Sequence, residues 1–399
     1  MRIRSITYFF NPGFPLNEAK LRAADDFLCA AKSAYQDAGY EVQTTRLATP
    51  SFTRILSDLD ETPSLAFQLA SAMETMDAEY ASLGPALPEL PRSYQIIPEA
   101  ISASENIFFS GEMASAKRGI SLPAIKSCAD VIVRAAKLDP KGFANLRFTA
   151  LANVPAGGPF FPAAYHEADT PPAFALALEA ADLAVDAFDG KNTIEEGRKK
   201  LIKSLESHGK KLTEVAKRLK PRFLGLDFSL APFPDDAISL GAAMEGFGVP
   251  KVGMHGSLAA AAILAESIQK ADFLHTGFNG MMMPVLEDSI LAKRAAEGTL
   301  LVKDLLLYSA VCGTGLDTVP VAGDVTREQV AALLLDISAL ALRLAKPLTA
   351  RLMPIPGKQA GDKTDFDFAF FANSKVMGLE AADLRHPFAG EEIIRIKSR

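Results

Sequence analysis

Hydrophobic and polar positions follow two different periods along the chain, and the change of period predicts alternating strands and helices. Residues 2–10 alternate in the manner of a β-strand, and a helical pattern follows over residues 18–38. The pattern returns to that of a strand over residues 41–48. This strand, helix and strand together span about forty residues, which is the length of a right-handed parallel crossover.

Later segments repeat the alternation. We predict further strands over residues 146–153, 223–230, 318–322, 349–355 and 366–372. We predict further helices over residues 63–83, 172–188, 236–246, 259–269, 287–297, 302–309 and 327–344. An alternation of this length indicates an α/β fold with a mostly parallel sheet, open or closed, and we expect a closed β/α barrel. There is no internal repeat or long linker, so we predict a single domain over residues 1–399.

The overall charge bears on the class of partner. The net charge is −6 and the isoelectric point is near 5.6, whereas a general nucleic-acid binder needs a basic surface. A basic run between residues 198 and 222 is interleaved with glutamates and follows Thr193 and Glu196, which form a capping-box pattern. We interpret this run as the solvated face of a helix and expect no nucleic-acid partner.

Apolar runs and cysteines indicate the compartment. No run reaches the ~18 to 20 apolar residues that cross a bilayer, so we expect a soluble protein that does not bind membranes. Three widely separated cysteines form neither a disulfide framework nor a metal-binding spacing. Both observations favour the reducing cytoplasm.

Four glycine- or proline-rich turns carry most of the candidate chemistry. They are GLDFSLAPFPDD, VGMHGS, GFNGMMMPVLEDS and VCGTGLDTVPVAGD, and each lies beside an apolar run. In an α/β fold the loops that follow the strands gather at one end of the sheet, so their side chains can share one pocket. We therefore predict an active site built from these turns.

Each candidate side chain also has a structural alternative. The predicted catalytic residues are Asp227, His255 and Cys312; the predicted substrate-binding residues are Asn153, His166, Ser229 and Asn279. Candidate metal ligands are Asp227, Glu287, Asp288, Asp317 and Asp324, because hard oxygen ligands suit Mg²⁺, Mn²⁺ or Ca²⁺. Alternatively, the carboxylates cap helices or close turns, and the histidines bond to backbone carbonyls.

The ordered runs DFSLAPFPDD, VGMHGS, PVLEDS, VCGTGLDTVPVAGD and RLMPIPGKQAGD resemble a family called domain of unknown function 711. The first 110 residues resemble it less, which indicates a divergent branch. The resemblance implies a fold similar to the barrel of pyruvate formate-lyase-like glycyl-radical enzymes, and a homodimer, but no known reaction. For radical chemistry, Cys312 matches the required cysteine, whereas the C-terminal KTDFDFAFFANS lacks the required glycine motif.

Three functions remain open from the sequence. The leading prediction is an enzyme that acts on a small oxygen-rich metabolite by non-redox acid–base chemistry, assisted by a divalent cation or not. The second is a non-catalytic ligand-binding or regulatory dimer, and the third is a thiol or radical enzyme that uses Cys312. No phosphate-binding or dinucleotide-binding glycine motif is present, so no nucleotide cofactor is indicated and the cofactor stays unknown.

Overall fold

The computed structural model describes residues 1–190 and 193–399, and eleven strands in this part of the chain form one mixed sheet. The strands are β1 (Arg2–Phe9), β2 (Thr45–Ser51), β3 (Tyr80–Ala86), β4 (Ile107–Ser115), β5 (Gly119–Ser121), β6 (Phe148–Ala152), β7 (Ala173–Glu179), β8 (Arg222–Ala231), β9 (Gly315–Ala322), β10 (Leu348–Ile355) and β11 (Ile393–Ile394).

Strand order shows two parallel sets that run in opposite directions. The main path is β8-β7-β1-β2-β3-β4-β6-β10-β9. Strands β1, β2, β3, β4 and β6 are parallel to one another, and β7 and β10 pair antiparallel to β1 and β6 at the two sides of this set. Because β8 is parallel to β7 and β9 to β10, the ends of these four strands lie at the edge where β1 to β4 begin.

Strands β8 and β9 are the two ends of the path, and residues 275–285 lie between them. A single bridge joins Leu226 of β8 to His275, and another joins Pro284 to Asp317 of β9. No ladder pairs β8 with β9 directly in the described residues. The α/β fold with a mostly parallel sheet is therefore confirmed, whereas the closed barrel is not, because the sheet does not close.

Helices connect the strands, and several of them begin at a side-chain cap. They are α1 (Glu18–Asp37), α2 (Thr62–Met73), α3 (Pro91–Gln95), α4 (Ile97–Ser102), α5 (Leu122–Ala135), α6 (Ala181–Ala187), α7 (Ile194–Ala216), α8 (Leu240–Glu245), α9 (Ser257–Lys270), α10 (Ser289–Glu297), α11 (Val302–Cys312) and α12 (Arg327–Arg343). The predicted capping box at Thr193 opens α7, and Thr326 with Gln329 forms another at α12. In residues 1–190 and 193–399, none of the helices has both the length and the apolar character needed to span a bilayer.

Three predicted elements are wrong. The helix predicted over 172–188 is strand β7 followed by the short α6, and the helix over 63–83 ends at Met73 before β3. The strand predicted over 366–372 is an irregular segment. All seven residues of β7 are buried, between β1 and β8, and its first six residues are all apolar, so they carry no period that separates a strand from a helix.

A long loop covers the face of the sheet that the main helical core leaves free. Residues 153–170 lie against this face, where Phe161 packs with Phe9 and Phe108. Side-chain hydroxyls of the sheet hold the loop in place: the Oγ1 of Thr7 donates to a loop carbonyl at 3.0 Å, and the Oγ of Ser82 to another at 3.3 Å. The loop thereby forms one wall of the cavity described next.

Candidate functional site

A cavity of about 510 Å³ opens at the edge of the sheet where β1 to β4 begin. Arg4, Arg46, Tyr80 and Phe108, which lie near the starts of these four strands, line it. The other walls come from β10, from the loop 153–170, and from the segments around residues 143–147 and 368–370. Cavities that hold small molecules are typically of this size and similarly concave.

Three guanidinium groups alternate with three carboxylates beside and within this cavity. In order of contact the residues of this ion-pair chain are Arg2, Glu179, Arg4, Glu287, Arg351 and Asp317. Glu287 occupies the centre: its Oε2 lies 2.5 Å from Nη2 of Arg4, and its Oε1 lies 2.9 Å from Nη2 of Arg351. Arg2 also pairs with the exposed Glu41, so every charged group of the ion-pair chain has a partner of opposite sign, which is the condition for keeping buried charges at tolerable cost.

The ion pairs set the protonation of the two inner carboxyl groups. Burial alone would raise the pKa of Glu287, but the guanidinium groups of Arg4 and Arg351 hold it below its ordinary value. Burial raises the pKa of Asp317, and the neighbouring Glu287 adds to the rise, against the opposing effect of Arg351. The arginine partners therefore favour the ionised form of Glu287, whereas burial disfavours the ionised form of Asp317.

Arg46 lies next to the ion-pair chain but is not part of it. Its Nε donates to the Oγ1 of Thr44 at 2.9 Å, and its guanidinium carbon lies 5.0 Å from the ring centre of Phe161 and 5.7 Å from that of Tyr80. Among the described residues, no carboxylate oxygen lies within 4.0 Å of the guanidinium. Burial, followed by repulsion from Arg4, lowers the pKa of Arg46 to about 9. The guanidinium of Arg46 thus lines the cavity without an ion pair among the described residues.

Several predicted site residues hold the backbone together instead. Asp227 is fully buried and accepts hydrogen bonds from the Oγ of Ser229 at 2.5 Å and from the backbone N–H groups of Phe278 at 2.7 Å and Asn279 at 3.0 Å. The Oδ1 of Asn279 in turn accepts from the N–H of Phe228. Burial, opposed by these hydrogen bonds, raises the pKa of Asp227 to about 6. Asp227, Ser229 and Asn279 therefore fasten residues 275–285 to β8.

The remaining predicted acids and His255 lie apart from the cavity. Asp288 is buried and joins two helix starts, because it accepts from the Oγ of Ser239 at 2.6 Å, from the N–H of Leu240 at 2.7 Å and from the N–H of its own helix α10 at Ile290. Burial raises the pKa of Asp288. Asp324 is exposed in the turn after β9, and His255 is exposed just before α9.

The other predicted residues are separate from one another as well. Asn153 accepts from the N–H of Ala116 at 3.1 Å. His166 is buried, lies within hydrogen-bonding distance of the carbonyl of Thr170, and has a pKa lowered by burial. Cys312 is buried at the end of α11. Of all the predicted site residues, Glu287 and Asp317 meet at Arg351, and Glu287 lines the cavity.

A predicted divalent-cation site would need several of these groups to converge. In residues 1–190 and 193–399, no group of three or more histidine, cysteine, aspartate or glutamate side chains is arranged to hold a metal ion. Four of the five predicted ligands, Asp227, Glu287, Asp288 and Asp317, are instead engaged by protein hydrogen-bond donors or guanidinium groups. The predicted ligands do not fit a divalent cation in this arrangement.

Sequence reasoning missed the arginines that dominate the site. Arg4, Arg46 and Arg351 each lie inside a mainly apolar strand, in RIRSITYF, TRLATPS and LTARLMPI. A charged residue in a buried strand needs a partner or a solvent-filled cavity, because burying an unpaired charge is costly. The three arginines within apolar strands could therefore have predicted a charged cavity from the sequence.

Comparison with known proteins agrees with the resemblance seen in the sequence. The family model described as Uncharacterised ACR (DUF711) matches residues 1–373. The chain belongs to this family. The match begins at residue 1, so it includes the N-terminal third that the sequence marks as divergent.

The similar proteins of this family are named UPF0210 proteins. One from Pyrobaculum aerophilum is 34% identical over 281 residues, which cover 67% of this chain and 61% of the relative. One from Methanopyrus kandleri is 33% identical and covers 67% and 61%, and one from Acetivibrio thermocellus is 31% identical and covers 68% and 63%. The chain therefore spans about three fifths of the length of these relatives.

Proposed function

We propose that this protein is an enzyme that binds a small organic anion at Arg46 and acts on it by non-redox acid–base chemistry. The observation that carries the proposal is the Arg46 guanidinium, which lines a 510 Å³ cavity without a carboxylate partner among the described residues. A carboxylate or phosphate group bound there would neutralise the buried charge, and guanidinium binds both groups with paired hydrogen bonds.

The proposed roles follow from the position of each group. Arg46 holds the anionic group of the substrate and stabilises negative charge that develops on it. Glu287, kept ionised by its two arginine partners, is the proton acceptor in the cavity wall. Tyr80 lines the same cavity, and its phenol is the proposed hydrogen-bond donor to the substrate. No step is derived through a metal, because most of the predicted ligands are already engaged.

A second candidate is a ligand-binding protein without turnover. Both carboxylate oxygens of Glu287 already contact a guanidinium group, Oε2 at Arg4 and Oε1 at Arg351. This pairing lowers the basicity of Glu287, which favours binding over proton transfer. The two candidates share the anion at Arg46 and differ only in whether a product forms.

The barrel and the homodimer implied by the family resemblance belong to the proposal too. Two observations support the barrel: the parallel sets run in opposite directions, and residues 275–285 bridge β8 and β9 through Leu226 and Pro284. A homodimer is tested by sedimentation equilibrium of the purified protein at several concentrations.

In the test, the wild-type protein and three variants are each incubated with an extract of water-soluble metabolites. Mass spectrometry follows which anions the protein retains and which it converts. We expect Arg46→Gln to lose retention and conversion, and Tyr80→Phe to lower conversion more than retention. Arg92→Gln is the control, because Arg92 is exposed and pairs with the exposed Asp60.

Each outcome distinguishes the candidates. Conversion of an anion by the wild type and not by Arg46→Gln supports the enzyme. Retention without any product supports the ligand-binding protein. If the wild type retains no anion, or if Arg46→Gln retains it equally well, the proposed role of Arg46 is wrong.

A further inference from the structure

We infer that the ligand bound at Arg46 is an aromatic monoanion, in which one negatively charged group is joined to a flat apolar ring. The inference rests on the proposed function, because it assumes that Arg46 binds the anion. It goes further by assigning the chemical class of the ligand from the cavity walls and from the charge balance around Arg46.

The inner wall of the cavity is a cluster of three aromatic rings around Arg46. The ring of Phe108 meets that of Tyr80 edge-on, with centres 5.5 Å apart at 85°, and that of Phe161 at 5.4 Å and 61°. The Arg46 guanidinium lies over the rings of both Tyr80 and Phe161. Rings packed in this way fix the position of the cation and present aromatic surface next to it.

A second aromatic cluster lines the same cavity, although it comes from distant parts of the chain. Its members are Phe143, Phe368 and Phe370. The ring of Phe368 lies 5.1 Å from that of Phe143 at 75° and 5.3 Å from that of Phe370. All three side chains are only partly buried. An aromatic ligand in this cavity therefore meets aromatic side chains on more than one part of the lining.

The charges favour a single negative charge on the ligand. Arg46 and Arg147 line the cavity without an ion pair in the part of the chain that the structure describes. Burial lowers the pKa of Arg147 and the carboxylates of Glu105 and Asp139 oppose this effect, so Arg46 is the lining cation that a bound anion can neutralise. The carboxylates of Glu105 and Asp139 also line the cavity and would repel additional negative charge. A monoanion neutralises Arg46, whereas a polyanion leaves charge unpaired in a poorly hydrated site.

The volume and the lining together disfavour a small hydrophilic anion. An inorganic ion would leave most of the 510 Å³ filled with water against seven aromatic rings. Burying a ring there removes apolar surface from water on both the ligand and the protein, which strengthens binding by on the order of 10- to 100-fold over the anionic group alone.

The experiment uses two pairs of probes that differ by a phenyl group. Titration calorimetry on the wild-type full chain compares 3-phenylpropanoate with propanoate, and phenyl phosphate with inorganic phosphate. The phosphate pair is measured at about pH 5, where both probes are mainly monoanions because the second pKa of a phosphate monoester is about 6. We expect the phenyl-bearing member of a pair to bind on the order of 10- to 100-fold tighter. The pairs also separate the two sources of charge, since carboxylate and phosphate are tested independently.

Variants locate the binding. Phe368→Leu should reduce the preference for the phenyl probe several-fold and leave the alkyl or inorganic partner unchanged, and Phe370→Leu provides a second variant of the same aromatic cluster. Arg46→Gln should abolish binding of both members of a pair. Phe67→Leu is the matched control, because Phe67 is 58% exposed on α2, away from the cavity lining. Thermal unfolding by circular dichroism confirms that each variant is folded.

The outcomes separate failure of this inference from failure of the proposed function. Equal affinities within each pair, lost in Arg46→Gln, would overturn the aromatic ligand and leave anion binding intact. A phenyl preference that survives both Phe368→Leu and Phe370→Leu would also overturn it. No binding of any probe at millimolar concentration, or binding that Arg46→Gln leaves unchanged, would count against both.

Discussion

Replacing Arg46 by glutamine should stabilise the ligand-free protein while removing anion binding. Burial and repulsion from Arg4 lower the pKa of Arg46 to about 9. At about 1.4 kcal/mol per pKa unit, keeping this charge in the folded protein costs on the order of 5 kcal/mol. The variant loses contacts of the guanidinium with Phe161 and Tyr80 and one hydrogen bond, together about 2 to 4 kcal/mol. The expected net gain is about 1 to 3 kcal/mol.

The assay is urea unfolding followed by circular dichroism and tyrosine fluorescence, with coincident transitions as the condition for a two-state analysis. The midpoint of Arg46→Gln should rise without a change in slope. Arg92→Gln removes an exposed ion pair with Asp60 and should stay within about 0.5 kcal/mol of wild type.

The pH dependence of unfolding independently checks the sign of the predicted stability change. Because the folded-state pKa of Arg46 is below its ordinary value, the cost of the charge is fully present below pH 9 and diminishes as the pH rises above it. The stability gap between Arg46→Gln and wild type should therefore narrow by about 1.4 kcal/mol between about pH 8 and about pH 10. A variant that is less stable than wild type at neutral pH, with a gap independent of pH, would refute the reasoning.

Three further predictions concern other parts of the chain. Gly277→Ala should lower the free energy of unfolding by more than about 2 kcal/mol, because the added Cβ would lie 2.1 Å from a carboxylate oxygen of Asp227 and the residue has a positive φ. Gly39→Ala is the control and should cost less, because Gly39 also has a positive φ but no atom close to the added Cβ. Thr149→Val should be neutral or stabilising by up to about 2 kcal/mol in urea unfolding, because the buried hydroxyl has no hydrogen-bond partner among the described residues; a clear loss of stability would contradict this. With a thiol-reactive chromophore, Cys29 should react rapidly and Cys312 only on unfolding, because the side chain of Cys29 is exposed and that of Cys312 is buried. Two rapidly reacting thiols in the native protein would be inconsistent with the fold.

Local sequence patterns were sufficient for many elements. The first strand, the helix α1 and the parallel pairing of β1 with β2 follow from a period of two, a period of 3.6 and the spacing between them. The capping box at Thr193 likewise marks the start of α7 correctly. These features depend on residues close together in the chain, so the sequence alone determines them.

Local sequence patterns do not predict features that depend on neighbours in space. The run AFALALE becomes β7 because β1 and β8 flank it, and no property of the seven residues themselves excludes a helix. Asp227 lies toward the end of strand β8, where an active-site carboxylate is expected. Its carboxylate oxygens instead accept hydrogen bonds from backbone N–H groups of a loop more than fifty residues later. Which atoms surround a carboxylate is a property of the folded chain.

The pairing of charged side chains shows most clearly which features follow from the sequence pattern and which from the fold. Residue patterns along the chain are enough to predict an α/β protein that is acidic overall, with polar turns beside apolar strands. The pairing of Glu287 with Arg4 and Arg351, and the position of Arg46 beside aromatic rings without an ion pair among the described residues, are visible only in the folded chain. Electrostatic and aromatic contacts act over a few ångströms in space, between residues that lie tens to hundreds of positions apart in the chain.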